Sequence, residues 1–290
     1  MEFVEITKEN IQLAYNYFLS LKTTIPTIYS VSLPAFTDSF LNEYSEGEQM
    51  FKELHAYAAI DTDNKIKSII QYGIPNYEIN YDGERIYSSR VGAIRWFDVT
   101  WLHEDVGKKL LDRASTFFIE HGISKVYAFS NDYAMSVYAY QGKLYQSEKK
   151  IHTFLRLYGF KRYTTSHFYT ISLKRMKPYM HNDGINFEPD ERIQNRQFFT
   201  IKKHQTEIGG MEVYYINSKT VYLSFFYILD DYRGRSWGLQ SLLTILMMFK
   251  NLGYERLDTD LNEDNSIAIK LYSRCKIGRI GKGYSYIKEN

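Results

Sequence analysis

The stretch that decides the reading runs Asp230-Asp231-Tyr232-Arg233-Gly234-Arg235-Ser236-Trp237-Gly238-Leu239. An apolar run, Val221–Leu229, precedes it, and an apolar, helix-length run, Trp237–Leu252, follows it. A strand that turns through glycines straight into a helix leaves the first-turn N–H groups without intrahelical acceptors. Those donors and the positive end of the helix dipole make a site for an anion such as a pyrophosphate. Glycine suits the places where a side chain would block that approach, and Arg233 and Arg235 add positive charge beside it.

Working outward, the second half reads as strands at Phe198–Lys203, Gly210–Ile216 and Val221–Leu229, then the helix Trp237–Leu252 closed by Gly253. A strand at Arg256–Leu261, a helix at Ser266–Arg274 and a last strand near Tyr284–Ile287 follow. The first half reads as a strand at Phe3–Thr7 and a helix from Lys8 to about Leu21. A second helix is expected over Phe36–Phe51, and strands at His55–Ile60, Ile66–Tyr72 and Arg90–Thr100, with a turn at Tyr81-Asp82-Gly83. A helix over Val106–His121, a strand at Lys125–Ser130, a long helical segment to Tyr158 and strands near Arg162–Leu173 complete it. Each half ends strand, turn, helix, Gly, strand, Asn-containing loop, helix, strand, echoed in IEHGISKVYAFSND and FKNLGYERLDTDLNED. One α+β unit therefore occurs twice, over 1–176 and 197–290, with a polar, turn-rich linker at 177–196.

Composition narrows the classes. The chain has 290 residues, 44% hydrophobic and 24% charged, with a net charge of +2 and 27 Tyr and 18 Phe. Near-neutral charge gives no footprint for nucleic acid. The longest apolar stretch, Leu242 to Phe249, falls far short of the roughly 20 residues that cross a bilayer, so no membrane partner is expected. The single Cys275 excludes an intrachain disulfide and a multi-Cys metal site, and fits a reducing cytoplasm. The phosphate loop of nucleotide triphosphatases is absent, and His103-Glu104 lacks the second His of a zinc peptidase helix, so no metal is expected.

The Arg233–Gly238 segment resembles the acetyl-CoA loop of the GNAT superfamily, Gln/Arg-x-x-Gly-x-Gly/Ala, with Arg233 first, Gly238 last and Ser236 where the inner glycine is usual. Asn262–Tyr272 resembles the family's second motif, Asn-x-x-Asn-x-x-Ala-x-x-x-Tyr. The resemblance covers about the last 90 residues. It implies two GNAT-like domains, each a mixed, mostly antiparallel central sheet flanked by helices, with acetyl-CoA as cosubstrate. It also implies cofactor contacts from Ile228, Arg233, Gly234, Arg235, Ser236, Trp237, Gly238 and Asn265, with the Ile228 backbone pairing with the pantetheine arm. Tyr272 carries over as general acid. After Tyr272 the family has Gly-Phe, and this chain has Cys275-Lys276-Ile277.

For the base, Asp258 and Asp260 alternate with Leu257, Thr259 and Leu261 and point away from the apolar face. Asp258, Asp260 and Glu212 are the candidate bases, with Asp260 set beside Tyr272, and a water chain without any carboxylate is the alternative. Trp237 reads as packing at the helix start as well as a loop residue, and His103 and His152 as structural. Aligning the first half by Gly107 puts Leu102 at the Arg position, Asp105 at the inner glycine and Leu155 at the acid Tyr, so that copy reads as degenerate. About sixty residues separate the start of the linker from Gly238, too few for the two helices that usually wall the acceptor pocket. The expected activity is acetyl transfer to a small amine. The alternative is a non-catalytic, ligand-binding pseudo-acetyltransferase with a sensing role.

Overall fold

A computed structural model describes residues 1–21, 28–41, 44–45, 47–80, 84–87, 90–100, 103–135, 137–138, 140–177, 184–192 and 195–289. The expected turn at 81–83 and Leu102 lie outside the described residues. The chain folds as two compact units, one of Met1–Thr165 with Gly283–Asn290 and one of Ser166–Lys282.

The first unit contains β1 (Glu2–Glu5), α1 (Ile11–Leu21), α2 (Leu33–Leu41), β2 (Phe51–Ile60), β3 (Ile66–Pro75), β4 (Val91–Val99), α3 (Glu104–Glu120), β5 (Lys125–Ala128) and α4 (Lys149–Leu157). Strand β6 (Lys161–Ser172) starts in this unit and ends in the second. The second unit adds β7 (Ile185–Pro189), β8 (Arg196–Lys203), β9 (Thr206–Asn217), β10 (Thr220–Ile228), α5 (Trp237–Asn251), β11 (Arg256–Asn262) and α6 (Ser266–Arg274). The last strand, β12 (Gly278–Glu289), begins there and finishes in the first unit.

The two sheets share one plan. The first runs β1-β2-β3-β4-β5-β12, antiparallel except for the parallel pair β4–β5. The second runs β7-β8-β9-β10-β11-β6, antiparallel except for the parallel pair β10–β11. A parallel pair needs a crossover, and α3 and α5 supply it. Both crossover helices bury one apolar stripe: Leu110, Leu111, Ala114 and Phe118 pack with Ile70, Phe97 and Val126, and Leu242, Ile245, Leu246 and Phe249 with Val213, Val221 and Leu223. The expected α+β class, with mixed, mostly antiparallel sheets and flanking helices, is what the chain adopts.

Three local expectations are corrected. The helix expected over Phe36–Phe51 stops at Leu41, because Gly47 takes a left-handed φ of 81° and residues 48–49 pair with 44–45 as strands. The long helical segment before Tyr158 is broken into single 3-10 turns at Asn131–Tyr133 and Tyr140–Gly142, a two-residue strand at Leu144–Tyr145, and α4. Gly142 has φ +69° and a β-carbon there would meet the Ala134 Cβ at 2.6 Å, which no helix interior accommodates. Part of the expected linker, Ile185–Pro189, is an ordered strand paired with β8, and Ile185 is buried with Ile201 and Ile208.

Candidate active site

In the second unit β10 and β11 pair only from Thr220–Arg256 to Leu223–Thr259, although β10 continues to Ile228 and β11 to Asn262. Beyond Leu223 and Thr259 the strands diverge, and a wedge opens in the sheet. A β-bulge starts the divergence: Glu212 faces Phe225 and Val213 faces Leu223, so Ser224 is the extra residue. Past the bulge, Leu229 N–H donates to the Ile208 carbonyl on β9 at 2.9 Å. By alternation the main-chain groups of Phe226 and Ile228 then face the wedge. The Ile228 carbonyl there accepts Arg233 Nε at 2.9 Å, and Arg233 Nη1 lies 2.6 Å from Asp230 Oδ1. Arg233 thus braces the loop from within, and it remains exposed at the surface.

Eight residues, 229–236, carry the chain from β10 into α5. Gly234 has φ +75° and Ser236 φ 64°, ψ 4°, both left-handed. The family's inner glycine therefore has a conformational cause at this position, and Ser236 occupies it at a steric cost. Ser236 makes no side-chain cap, so nothing from its hydroxyl satisfies the first-turn N–H groups of Trp237, Gly238 and Leu239. A β-carbon on Gly238 would sit 3.7 Å from Ile228 Cγ1 and 3.8 Å from Leu271 Cδ2, ordinary contact distances. Packing inside the chain does not demand this glycine. Arg235 and Ser236 are exposed, while the Trp237 ring packs on the Ile185–Ile201–Ile208–Ile228 cluster with Lys203 Nζ 3.9 Å from its centroid.

At the apex of the wedge Tyr272 meets Thr259. The Tyr272 hydroxyl lies 3.3 Å from Thr259 Oγ1, and the ring is 2% exposed against Tyr169 and the α5 core. Burial pushes its pKa above the usual tyrosine value. On the opposite sheet face Asp260 accepts the Tyr222 hydroxyl. Asp258 does not lie on a solvated face, as an alternating strand suggests: it is fully buried, held by Arg256 Nε at 2.8 Å. Glu212 accepts Ser224 Oγ at 2.7 Å and also Arg196 Nε, beside the bulge. Asn265 caps α6, accepting the Ala268 N–H at 3.0 Å, so its side chain has a structural task. Lys276 takes a left-handed φ of 56° and Ile277 N–H donates to the Tyr272 carbonyl. In α4 the same positions are Gly159, φ +85°, and Phe160, bonded to the Leu155 carbonyl. Lys276-Ile277 therefore stands where the family has Gly-Phe.

The first unit has the same bulge, and β4 likewise runs on past its last pair with β5, Ile94–Ala128, but β5 ends there and the space beside β4 is filled. Gln71 faces Trp96 and Tyr72 faces Ile94, leaving Arg95 as the extra residue. Arg95, 2% exposed, donates to the carbonyls of Tyr133 (2.7 Å) and Ala134 (3.1 Å) and to Gln71 Oε1 (3.4 Å). Its α3 begins three residues before Gly107, whereas α5 begins one residue before Gly238. The added turn carries Glu104 and Asp105, carboxylates where an anion would have to sit. A β-carbon on Gly107 would meet Val99 Cγ2 at 3.0 Å, so this glycine serves helix–strand packing. Leu155, seventh in α4 as Tyr272 is seventh in α6, is fully buried and has no hydroxyl. His152 is structural and does have partners: its ring bonds the Tyr145 carbonyl (3.0 Å) and the Tyr286 hydroxyl (2.7 Å). The bulge residues Ser224 and Arg95, and the apex partner Thr259, carry no motif, and sequence reasoning did not single them out.

The family model of the GNAT acetyltransferases matches residues 162–276. A search of curated proteins returned no match. Among solved structures, a tandem GNAT protein from the clavulanic acid biosynthesis pathway aligns over 99% of this chain and 98% of its own, with a TM-score of 0.70 at 11% identity. A GCN5-related N-acetyltransferase from Sphaerobacter thermophilus aligns over 99% and 95%, with a TM-score of 0.67 at 10% identity. A glucosamine N-acetyltransferase region of a fungal multi-domain GH3 β-N-acetylglucosaminidase aligns over 99% of this chain and 38% of that one, with a TM-score of 0.67 at 12% identity. At such identities the likeness is one of fold. No helix among the described residues is long and apolar enough to cross a membrane. Residues 162–276 belong to the GNAT acetyltransferase family, a family of acyltransferases, within a chain that has the tandem GNAT fold over its whole length.

Proposed function

We propose that the protein is an acetyl-CoA-dependent N-acetyltransferase for a small amine, acting in the cytoplasm, with the cofactor held by the second unit alone. The observation that carries this is the wedge beyond Leu223 and Thr259, flanked by a glycine turn and a helix N-terminus that the Ser236 side chain leaves uncapped. Acetyl-CoA brings the acyl group as an activated thioester. Trp237, Gly238 and Leu239 N–H groups hold the diphosphate, with Arg235 adding charge and Arg233 fixing the loop. The wedge-facing main chain of Phe226 and Ile228 binds the pantetheine arm and stabilises the negative oxygen of the transition state. An alkylammonium is almost wholly protonated at neutral pH, so a base lowers a barrier of about 4 kcal/mol. Asp260 accepts that proton on one face of the apex, and the Tyr272 hydroxyl returns one to the departing sulfur on the other.

Two observations favour a sensing alternative: Tyr272 is enclosed, and Ser236 replaces a glycine. Tyr272→Phe separates the readings. A hundredfold or greater loss of turnover with unchanged CoA affinity supports catalysis, while CoA binding without turnover of any amine supports the sensor.

A further inference from the structure

The sheet face of the second unit that looks away from α5 and α6 has a definite chemical character. Met211, Val213, Val221, Leu223 and Leu257 point to the helices, so their neighbours Glu212, Tyr222 and Asp258 point to the other face. Phe226 and Ile228 pack on the helix side, which puts Phe225 and Tyr227 on that second face as well. Phe198 lies directly across from Glu212, and Glu212 across from Phe225. The rings of Phe198 and Tyr227 lie over Gly210: a β-carbon there would come within 2.5 Å of Phe198 Cζ and 2.6 Å of Tyr227 Cε1. Phe225 and Tyr227 have centroids 5.4 Å apart, and Phe225 is 54% exposed. Three rings thus form a shelf beside the open strand edge, with the Phe225 ring presented to solvent.

Carboxylates lie beside the shelf: Glu212 is paired with Arg196, Asp258 with Arg256, and Asp260 accepts the Tyr222 hydroxyl. Asp258 is fully buried, yet its Oδ2 has no hydrogen-bond partner among the described residues. A buried carboxylate oxygen without a donor costs free energy unless a bound donor completes it. A flat apolar shelf next to carboxylates is complementary to a cation carried on an aromatic body.

We infer that the acceptor is a primary arylalkylamine, its ring on Phe198, Phe225 and Tyr227 and its ammonium turned to the carboxylates at the wedge apex. The inference rests on the acyl-transfer reading of the same site and names its substrate class. Exposed Phe225 can be changed without disturbing a core, and far-ultraviolet dichroism and a thermal melt check that. Binding of 2-phenylethylamine and of propylamine to the full chain is measured by calorimetry with CoA saturating, and CoA binding is measured in the same preparations. The expected result is tenfold or greater preference for 2-phenylethylamine, falling about tenfold in Phe225→Ala. A preference under twofold in the parent protein, or one unchanged by Phe225→Ala, overturns the inference. Preference for the aromatic amine in a protein that binds no CoA refutes the acyl-transfer reading and leaves the amine site standing. CoA binding without amine preference refutes the amine site alone.

Discussion

Replacing Gly238 by Ala separates binding from stability. Glycine in a helix is less favourable than alanine by about 1 kcal/mol, somewhat less in a first turn. The new methyl would meet Ile228 and Leu271 at 3.7 and 3.8 Å, so no clash cancels that gain. The second unit is therefore expected to gain about 0.5–1 kcal/mol. The same methyl stands where the diphosphate must approach the N–H groups of Trp237 and Gly238. Losing one charge-assisted bond costs about 2 kcal/mol, which is roughly a thirtyfold weaker Kd for CoA. Urea unfolding and isothermal titration with CoA read the two quantities independently. A more stable variant with unchanged CoA affinity would refute the assignment of the α5 N-terminus, and a destabilised variant would refute the packing argument.

The equivalent change in the first unit has the opposite sign. Gly107→Ala drives a methyl to 3.0 Å from the stiff Val99 side chain and is expected to cost about 1–3 kcal/mol in urea unfolding, with no effect on CoA binding. Ser236→Gly removes a left-handed L-residue and is expected to stabilise the second unit by up to about 1 kcal/mol, read as a raised urea midpoint. Tyr272→Phe lowers turnover at least a hundredfold, in steady-state kinetics, while Kd for CoA stays within twofold. His152, whose burial brings its pKa down to about 4, is neutral in the fold and protonates near 6.5 when unfolded. Its contribution is complete above pH 6.5 and is lost as pH falls from 6.5 to 4, so His152→Gln flattens the pH dependence of first-unit unfolding across that window.

What could be read from the sequence was whatever depends on local pattern. The strand–turn–helix at Val221–Leu252 is legible because strand and helix periods meet at glycines, and Gly107 against Gly238 aligns the copies because each packs on the last residue of its strand. Other features depend on partners far along the chain. Asp258 alternates like a surface residue, yet it is fully buried and held by Arg256. Asn265 looks like a ligand contact by motif and is a helix cap by geometry. The filling of the space beside β4 depends on Arg95 reaching carbonyls 38 and 39 residues away, a pairing with no local signature. Likewise, a bulge at Ser224 is a matter of register between two strands, and register is not written in either strand alone.

The exchange of terminal strands has a consequence for synthesis. The first unit's sheet ends on Tyr286–Glu289, paired with Lys125–Ala128, so the ribosome must reach Glu289 before that sheet can close. Until then β5 presents an open edge in a nascent chain, a template for pairing with other chains. Removing residues 286–289 is thus an injury to the N-terminal half, and an expression plasmid cut between the repeats would yield two incomplete pieces.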